Sequence, residues 1–174
     1  MNIPSFSEYP QNSLPSGYIT LISEGNVLEC LQNQADELLT RYESLQDPEQ
    51  GNYRYAEGKW SLKEVLGHMI DTERVFAYRA LCIARGEKQS LPGFDQDEYM
   101  HYSHFGDMTL ASLVKIYRLT RQSNVALFET FTEADQTRMG VCSNYPLSAR
   151  ALVTMIAGHE RHHLNVLAER YGLV

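Results

Sequence analysis

Three of the six histidines of this 174-residue chain lie within five residues of one another, in the segment HERHH at positions 159–163. His159 and His163 are four residues apart, and on a helix that turns about 100° per residue such side chains lie about 40° apart on one face. Their ring nitrogens can then both reach one cation at about 2.0–2.2 Å. The spacing predicts a shared divalent metal ion, and the alternative is a pair of core histidines satisfied by backbone groups or water.

The helix that would carry these histidines covers residues 147–171. Its apolar stripe contains both imidazoles and consists of Leu152, Ile156, His159, His163 and Leu167. His162 falls at the edge of this stripe, and Arg161 points away from it. We therefore expect the helix to bury imidazoles rather than charges, with Glu160 beside the stripe.

Three more amphipathic helices are predicted by apolar residues that recur at three- and four-residue steps, over residues 17–45, 61–85 and 109–131. Ser61 and Glu64 have the spacing of a capping box, which fixes the start of the second of these helices. The first helix should end before the Asp-Pro pair and glycine that follow it, since proline cannot continue a helix.

The segments outside the helices are predicted to lack regular structure. Residues 1–16 contain three of the six prolines and should form an extended arm. Residues 132–147 should be irregular, and no alternating pattern predicts a strand. Residues 17–174 then form a single domain, an all-α antiparallel four-helix bundle with a long crossover between helices 2 and 3.

That crossover, residues 87–107, is longer than most connections in compact domains and is rich in aromatic and acidic side chains after a Pro-Gly pair. Long loops of this kind often cover binding sites. We expect a lid over the metal pocket, with Phe94, Asp95 and Tyr99 as substrate-binding residues. A crossover that only packs against the bundle is the alternative.

The composition limits the partners of the chain. A net charge of −7 and a pI near 5.3, with no basic run, argue against binding to nucleic acid. No apolar stretch of about 18 residues predicts a membrane span, and the first residues lack a signal-peptide pattern, so we expect a cytoplasmic protein. The three cysteines form no CxxC pair, which argues against a zinc ribbon or a disulfide framework. No role is assigned to His101, His104 or Cys142.

Three short motifs together carry a family resemblance: WSLKEVLGHMIDTE at residues 60–73, GFDQDEY at residues 93–99 and HERHHLNVL at residues 159–167. The combination resembles the DinB/YfiT-like four-helix metalloprotein superfamily, over most of the chain from the first helix onward. In that superfamily one histidine of the second helix and an HxxxH pair of the last helix bind a divalent ion.

The third metal ligand is left open by the residues alone, because the chemistry of Glu64, Asp71 and Glu73 competes with that of His68. The resemblance implies the ligand set His68, His159 and His163. Three histidines leave positions on the ion for water or substrate, as in catalytic sites. The expected ion is nickel or zinc, with iron or manganese as alternatives.

The superfamily includes transferases that use low-molecular-weight thiols, an isomerase relative and hydrolases. The resemblance therefore implies a metal-dependent enzyme, of thiol S-transferase or hydrolase type, that acts on a small electrophilic molecule. A low-molecular-weight thiol is a possible partner, and related bundles suggest a homodimer. Asp71, Glu160 and His162 are candidates for proton transfer or for support of the ligands.

Three other interpretations compete with this one. The HExxH pattern at 159–163 also fits a zinc peptidase with Glu160 as general base, but no third ligand follows it and no edge strand is predicted to bind a peptide. A di-iron carboxylate bundle needs two ExxH segments on long helices, and the chain has one. A non-catalytic, metal-stabilised bundle that binds a ligand or partner stays open, and a solvent-connected pocket at the metal would favour an enzyme over it.

Overall fold

The computed structural model describes residues 1–23 and 25–174. Its helices are α1 (Leu14–Ile19), α2 (Val27–Glu43), α3 (Leu62–Ala84), α4 (Gln96–Tyr102), α5 (Leu110–Glu129), α6 (Glu133–Gln136) and α7 (Ala149–Tyr171). Strands β1 (Met139–Cys142) and β2 (Tyr145–Ser148) form an antiparallel hairpin. Short 3₁₀ turns lie at Phe6–Glu8, Pro48–Asn52 and Phe105–Asp107. None of the described helices is long and apolar enough to cross a lipid bilayer.

Four long helices, α2, α3, α5 and α7, form the bundle, which confirms the predicted all-α four-helix fold. Helix α3 packs between α5 and α7, and α2 packs against the other side of the same two helices. The consecutive helices α2 and α3 therefore lie diagonally across the bundle, and the loop between them passes over one end.

Helix directions follow from the hydrogen bonds between helices. Gln34 Nε2 donates to the Ala157 carbonyl at 3.1 Å and Arg41 Nη1 to the Leu164 carbonyl at 2.9 Å, so α2 and α7 run parallel. The start of α3 lies beside the end of α7, and α3 and α5 run together in the opposite direction. After α3 the chain must therefore travel back along a 23-residue helix, about 35 Å at 1.5 Å per residue. This return explains the long crossover between α3 and α5.

Local side-chain caps set the ends of these helices. The predicted capping box at α3 is confirmed, since Ser61 Oγ accepts from the Glu64 N–H and Glu64 Oε2 accepts from the Ser61 N–H. The side chains of Thr109 and Ser148 cap α5 and α7, each by accepting from the backbone N–H three residues on. Helix α7 ends at Gly172, whose φ of 66° is a conformation that glycine adopts without strain.

The predicted continuous helix over 17–45 is wrong, because the structure has two helices there, α1 and α2. Asn26 caps the start of α2 through the N–H two residues on. Ser13 caps α1 through the N–H three residues on, and a proline is tolerated in the first turn. Helix α1 thus begins inside the segment 1–16 that was expected to be extended, and a 3₁₀ turn precedes it.

The segment 132–147, predicted to be irregular, contains α6 and most of the β-hairpin. Ser143 and Asn144 form the turn with φ of 52° and 67°, the positive values that a two-residue hairpin turn requires. The hairpin also receives the crossover, since the Leu91 N–H donates to the Val141 carbonyl at 2.9 Å. Strands this short carry too few residues for their pattern to predict them.

The bundle interior has two apolar clusters with a layer of buried polar residues between them. We call this layer the polar layer, and it consists of Gln34, His68, Thr72, Glu73, Arg121, His159, Glu160 and His163. All four long helices contribute to it. Buried polar groups need hydrogen-bond, ionic or metal partners, so the contacts within this layer decide which of its side chains are available to bind a ligand.

Candidate metal centre

The three predicted histidine ligands meet inside the bundle. His68 comes from α3, and His159 and His163 lie one turn apart on α7. The Nε2 atom of His159 is 3.0 Å from that of His68 and 3.1 Å from that of His163, and one nitrogen of each ring lies within 4.8 Å of the others. The three side chains are 4%, 5% and 9% exposed, so all are buried.

Aromatic rings and a close helix contact hold these imidazoles in place. The Trp60 ring lies 4.8 Å from that of His68, and the Tyr18 ring meets that of His159 edge-on at 5.4 Å. Tyr18 reaches this position because α1 crosses α7 at Gly158, where a Cβ atom would lie 2.1 Å from the Tyr18 carbonyl oxygen. Glycine at this position lets α1 close one side of the site.

Burial keeps the three imidazoles neutral. Removal from water lowers the pKa of His68 to about 4 and lowers the pKa of His159 and His163 well below the ordinary value, and the neighbouring histidines add to the effect. A neutral imidazole has one N–H and one lone pair, so three converging Nε2 atoms cannot all satisfy one another. The Nδ1 atom of His163 also has no hydrogen-bond partner among the described residues.

This arrangement fits a divalent transition-metal ion. Two nitrogens bound to one ion at about 2.1 Å, with angles of 90–109°, are about 3.0–3.4 Å apart, and the two Nε2 distances from His159 are 3.0 and 3.1 Å. Neutral imidazoles suit zinc, nickel or iron better than magnesium or calcium, which prefer oxygen ligands. The donors, their spacing and their charge are therefore those of a three-histidine site.

A cavity of about 700 Å³ connects His159 with the surface, and we call it the access cavity. Its buried part reaches His159, Thr72 and Phe76, and its rim includes the exposed residues Leu14 and Gln96. The wall is mostly apolar, with side chains from α1, α3, α7, the crossover and the hairpin. A small molecule could enter here from solvent and reach the side of His159.

The expected lid residues lie at or near this opening. Phe94 and Asp95 line the access cavity, and the Tyr99 ring lies 5.2 Å from that of Phe94 without lining the cavity itself. Asp95 Oδ1 caps α4 by accepting from the backbone N–H groups two and three residues on. The crossover thus borders the entrance of the access cavity, and Asp95 also stabilises the start of α4.

The three candidates for proton transfer have different surroundings. His162 is exposed, and its ring centre is 5.1 Å from that of His163. Asp71 is half-buried outside the access cavity, and burial raises the pKa of its carboxyl against the opposing effect of Arg74. Glu160 is 2% exposed and points into the polar layer.

The expectation that α7 buries no charge is wrong, because Glu160 belongs to a buried ion network. Its two carboxylate oxygens accept from Tyr117 OH at 2.5 Å and from the Arg121 guanidinium. Arg121 also pairs with Glu73 at 2.9 Å, and Asn124 donates to Glu73 at 3.1 Å. Burial alone would lower the pKa of Arg121, but the two carboxylates raise it well above its ordinary value.

Ion pairs engage two of the three acidic competitors for the third ligand position. Glu73 faces Arg121, and Glu64 pairs with Arg54 at 2.6 Å near the start of α3. A signal for the network was present in the sequence, since Glu73 falls on an apolar stripe of the α3 wheel, where a buried carboxylate needs a cation. Its partner on α5 could not be chosen without the packing of the helices.

Histidines 101 and 104 are exposed on the crossover, away from the three-histidine cluster. Cys142 is buried in the wall of the access cavity, and burial raises the pKa of its thiol to about 11, so it is protonated near neutral pH. No disulfide joins Cys30, Cys82 and Cys142.

The sequence profile of the DinB superfamily matches residues 31–167, most of the chain. The chain belongs to the DinB superfamily. This membership confirms the resemblance inferred from the three motifs. The match begins within α2 and ends within α7, so it spans all four bundle helices and all three histidines.

Known proteins with similar sequences or folds agree with this membership. A protein of Oceanobacillus iheyensis named "Putative metal-dependent hydrolase" is 24% identical over 138 residues, which cover 79% of each chain. The structure of YfiT from Bacillus subtilis, described as a probable metal-dependent hydrolase with an unusual four-helix bundle topology, superposes with a TM-score of 0.72 and 14% identity, over 95% of this chain and 94% of YfiT. A mycothiol-dependent maleylpyruvate isomerase superposes with a TM-score of 0.67 and 12% identity, over 85% of this chain and 60% of the isomerase.

Proposed function

We propose that this DinB-superfamily protein is a metal-dependent enzyme of hydrolase or thiol-transfer type that acts on a small electrophilic molecule. The observation that carries the proposal is the meeting of three neutral histidines inside the bundle, one of which, His159, lines a cavity that opens to solvent. A closed structural zinc site normally has four protein ligands, whereas three ligands leave a position for water or substrate. The access cavity gives that position a route from the surface.

His68, His159 and His163 would hold the divalent ion. When bound, such an ion supplies Lewis acidity, which polarises an electrophile and lowers the pKa of a water or thiol beside it. Zinc or nickel suits the three imidazoles, and iron or manganese could occupy the same nitrogens.

The remaining walls of the access cavity would bind and orient the substrate. Phe76 and Phe94 offer aromatic faces, and the apolar wall would exclude water around the reacting group. We propose Phe94 and Asp95 as direct substrate contacts, and Tyr99 as the residue that supports Phe94. His162 is the proposed proton carrier, since it is exposed beside His163, whereas Glu160 is held by Tyr117 and Arg121.

Hydrolysis is the first choice of reaction, because the names of the Oceanobacillus relative and of YfiT both describe metal-dependent hydrolases. Transfer of a low-molecular-weight thiol is the second, since the isomerase of similar fold is mycothiol-dependent. A zinc-peptidase role is not favoured, because Glu160 is engaged in the buried network and is not available as a general base. The chain is further proposed to act in the cytoplasm as a homodimer.

Metal binding can be tested by titrating the metal-free protein with zinc or nickel in competition with a chromophoric chelator. His163→Ala should weaken binding by at least about 100-fold, because it removes one of three ligands. His162→Ala, a change of the same type at the adjacent exposed position, should bind within about threefold of the wild type. Stoichiometric binding at wild-type strength by the variant that lacks all three buried histidines would contradict the site.

Catalysis can be tested by loading the protein with zinc or nickel and screening small esters, lactones and amides, with and without added thiols. Turnover that is lost in His163→Ala and retained in Leu119→Ala, a substitution at an exposed position of α5, would support an enzyme. Stoichiometric metal binding without turnover of any member of the screen would favour the alternative of a non-catalytic, metal-stabilised bundle. Thiol-dependent turnover would favour transfer over hydrolysis.

A further inference from the structure

Arg79 of α3 is a buried cation in the wall of the access cavity. It is 5% exposed, and its Nη2 atom donates to the Pro92 carbonyl at 2.6 Å. Its guanidinium carbon lies 5.5 Å from the ring centre of Phe94 and 5.8 Å from that of Phe76. No carboxylate of the described residues lies within 4.0 Å of this guanidinium.

The other buried arginine of the bundle has a different environment. Arg121 faces two carboxylates, those of Glu73 and Glu160, and so its charge is balanced within the protein. Arg79 uses one of its five N–H donors on a neutral carbonyl and has aromatic faces on two sides. Buried charges in proteins are normally paired, because removing an ion from water is strongly unfavourable. Burial also lowers the pKa of Arg79 from its ordinary value, although the guanidinium stays charged near neutral pH.

The missing counter-charge has room to bind, since Arg79 lines a cavity of about 700 Å³. One carboxylate, that of Asp95, lies on the rim of the same cavity, but it is exposed and its Oδ1 atom caps α4. The planar fork of a guanidinium matches the paired oxygens of a carboxylate or phosphate. The apolar wall around it suits a ligand whose remaining body is apolar.

The position of Arg79 relative to the histidines sets the length of such a ligand. The Phe76 ring centre is 6.3 Å from that of His159 and 5.8 Å from the Arg79 guanidinium carbon, so the guanidinium is at most about 12 Å from the His159 ring. This upper limit is within reach of a small molecule in extended form, once the contact distances at its two ends are counted. One end of it could contact Arg79 while the other lies beside the histidines.

We propose that Arg79 binds the anionic head group, a carboxylate or a phosphate, of a small substrate with an apolar body. The opposite end of the substrate then faces His68, His159 and His163. The position of the reactive end rests on the proposed function, whereas the binding of the anion to Arg79 does not require a metal. Arg79 is in this view a specificity-determining residue that selects anionic substrates and fixes their direction in the cavity.

The test compares three probes of similar shape: 3-phenylpropanoate, 2-phenylethyl phosphate and the neutral 3-phenylpropanamide. Binding of each is measured by calorimetry to the metal-free and to the zinc-loaded protein. The variants are Arg79→Gln, Arg79→Lys and the control Arg85→Gln, which changes an exposed arginine at the end of the same helix. Circular dichroism melts establish that each variant is folded before it is titrated.

Metal-free wild-type protein should bind at least one of the two anions about tenfold or more tightly than the amide, the usual effect of one charged hydrogen bond in a buried site. Arg79→Gln should lose this preference, Arg79→Lys should retain part of it, and Arg85→Gln should keep it. The stronger of the two anionic probes identifies the head group as carboxylate or phosphate. A purely structural role for Arg79 would lower the melting temperature of Arg79→Gln and leave its anion preference intact, which would overturn the proposal.

If Arg79→Gln does not fold, a second measurement on the wild-type protein tests the same proposal. The Nε–Hε signal of Arg79 in an NMR spectrum of the wild-type protein should shift on addition of the preferred anion and not on addition of the amide. An unchanged signal at saturation would overturn the proposal, as would an anion preference that is seen only with zinc and persists in Arg79→Gln. Selective anion binding by a protein that binds none of zinc, nickel, iron and manganese would leave the anion site standing and remove the proposed metal-dependent function.

Discussion

At the scale of single residues, the protonation of the buried imidazoles should control metal binding. Burial lowers the pKa of His68 to about 4, and the pKa of His159 and of His163 is also lowered. Because the pKa of each histidine is lowered, protons compete with the metal for the ring nitrogens only at a pH below the ordinary histidine pKa of about 6.5. We expect the protein to retain zinc at pH 6 and to lose it steeply between about pH 5 and pH 4.

This loss can be followed by elemental analysis after dialysis at a series of pH values, with circular dichroism to separate metal loss from unfolding. Zinc that stays bound at pH 3.5 in folded protein would argue against histidine ligands.

The same lowered histidine pKa values affect the stability of the metal-free protein. Between about pH 6.5 and pH 4 the unfolded chain binds more protons at these histidines than the folded one, so stability should fall as the pH falls through this window.

The buried network gives a second prediction at this scale. Replacement of Arg121 by alanine leaves Glu73 and Glu160 buried without a cation, and we expect a loss of about 3–5 kcal/mol in the free energy of unfolding. Arg118→Ala, one turn away on the same helix, removes only the exposed pair with Glu43 and should cost less than about 1 kcal/mol. Urea titration of the metal-free proteins measures both values, and equal losses in the two variants would contradict the role assigned to Arg121.

The sequence predicts the clustering of the three histidines better than it predicts the ion network beside them. His159 and His163 are related by one helical turn, so their proximity follows from local geometry. His68 needed the family resemblance, because several acidic residues of the same helix were chemically plausible. Arg121 and Glu160 are 39 positions apart on different helices, and only the packing of α5 against α3 and α7 makes them partners.

At the scale of helices, the contact of α1 with α7 depends on one glycine. On helix propensity alone, Gly158→Ala would stabilise α7 by about 1 kcal/mol. The added Cβ would instead lie 2.1 Å from the Tyr18 carbonyl oxygen, backbone that cannot move aside without shifting α1. We expect a net loss of about 1–3 kcal/mol, measured by chemical unfolding.

Gly17→Ala is the matched control, because an added Cβ there has no neighbour within 4 Å. It should leave stability unchanged or raise it by about 0.5–1 kcal/mol. A stabilised Gly158→Ala protein would show that α1 is not held against α7.

Local caps make the starts of α3, α5 and α7 predictable from the sequence. The break between α1 and α2 was missed, because the apolar spacing continues across it.

Phe94 and Tyr99 of the crossover are predicted to select ligands and to contribute little to the stability of the fold. Phe94→Ala combined with Tyr99→Ala should change the affinity for small molecules such as 3-phenylpropanoate at least about threefold, because the Phe94 ring lines the access cavity and the Tyr99 ring packs beside it. Metal content and the thermal midpoint should remain close to those of the wild type. Asp95 is better replaced by asparagine than by alanine, since asparagine keeps the cap of α4.

One melt and one calorimetric titration distinguish this lid from a crossover that only packs. In the second case the removal of Phe94 should lower stability by roughly 2–5 kcal/mol, as for a core aromatic, and the folded fraction should bind ligand normally. Tyr102→Ala is the control, because this side chain is 74% exposed on the same helix as Tyr99. It should change neither property.

At the scale of the whole molecule, helix number and crossover length were predictable, but the arrangement of the helices was not. Four amphipathic patterns and one long connection predict a bundle with a crossover. Neither the patterns nor the 18-residue connection between α2 and α3 indicates that these two helices lie on a diagonal, since a connection of that length can reach either neighbour. The diagonal arrangement matters for function, because it makes α3 and α7 neighbours and so brings His68 to the HxxxH pair.

An exposed aromatic patch suggests how two copies of the chain would assemble. Several tyrosines are exposed, and one group, Tyr53 and Tyr55 packed edge-on against Tyr171, forms an aromatic patch near the start of α3. Aromatic residues are enriched in the cores of protein interfaces. We expect this patch to lie in the interface of a homodimer, with twice the 19.9 kDa mass of one chain.

The charge of the chain gives this prediction a specific salt dependence. Each copy carries a net charge of −7, so two copies repel each other at long range. Salt at 0.1 M screens this repulsion at separations beyond about 10 Å. An apolar aromatic interface should therefore strengthen from 20 to 300 mM NaCl, whereas one built on ion pairs would weaken. Light scattering at micromolar concentration should report a dimer that grows with salt, and Tyr53→Ser with Tyr55→Ser should shift it toward monomer while Tyr102→Ser does not. A stable 19.9 kDa species at both salt concentrations would exclude the dimer.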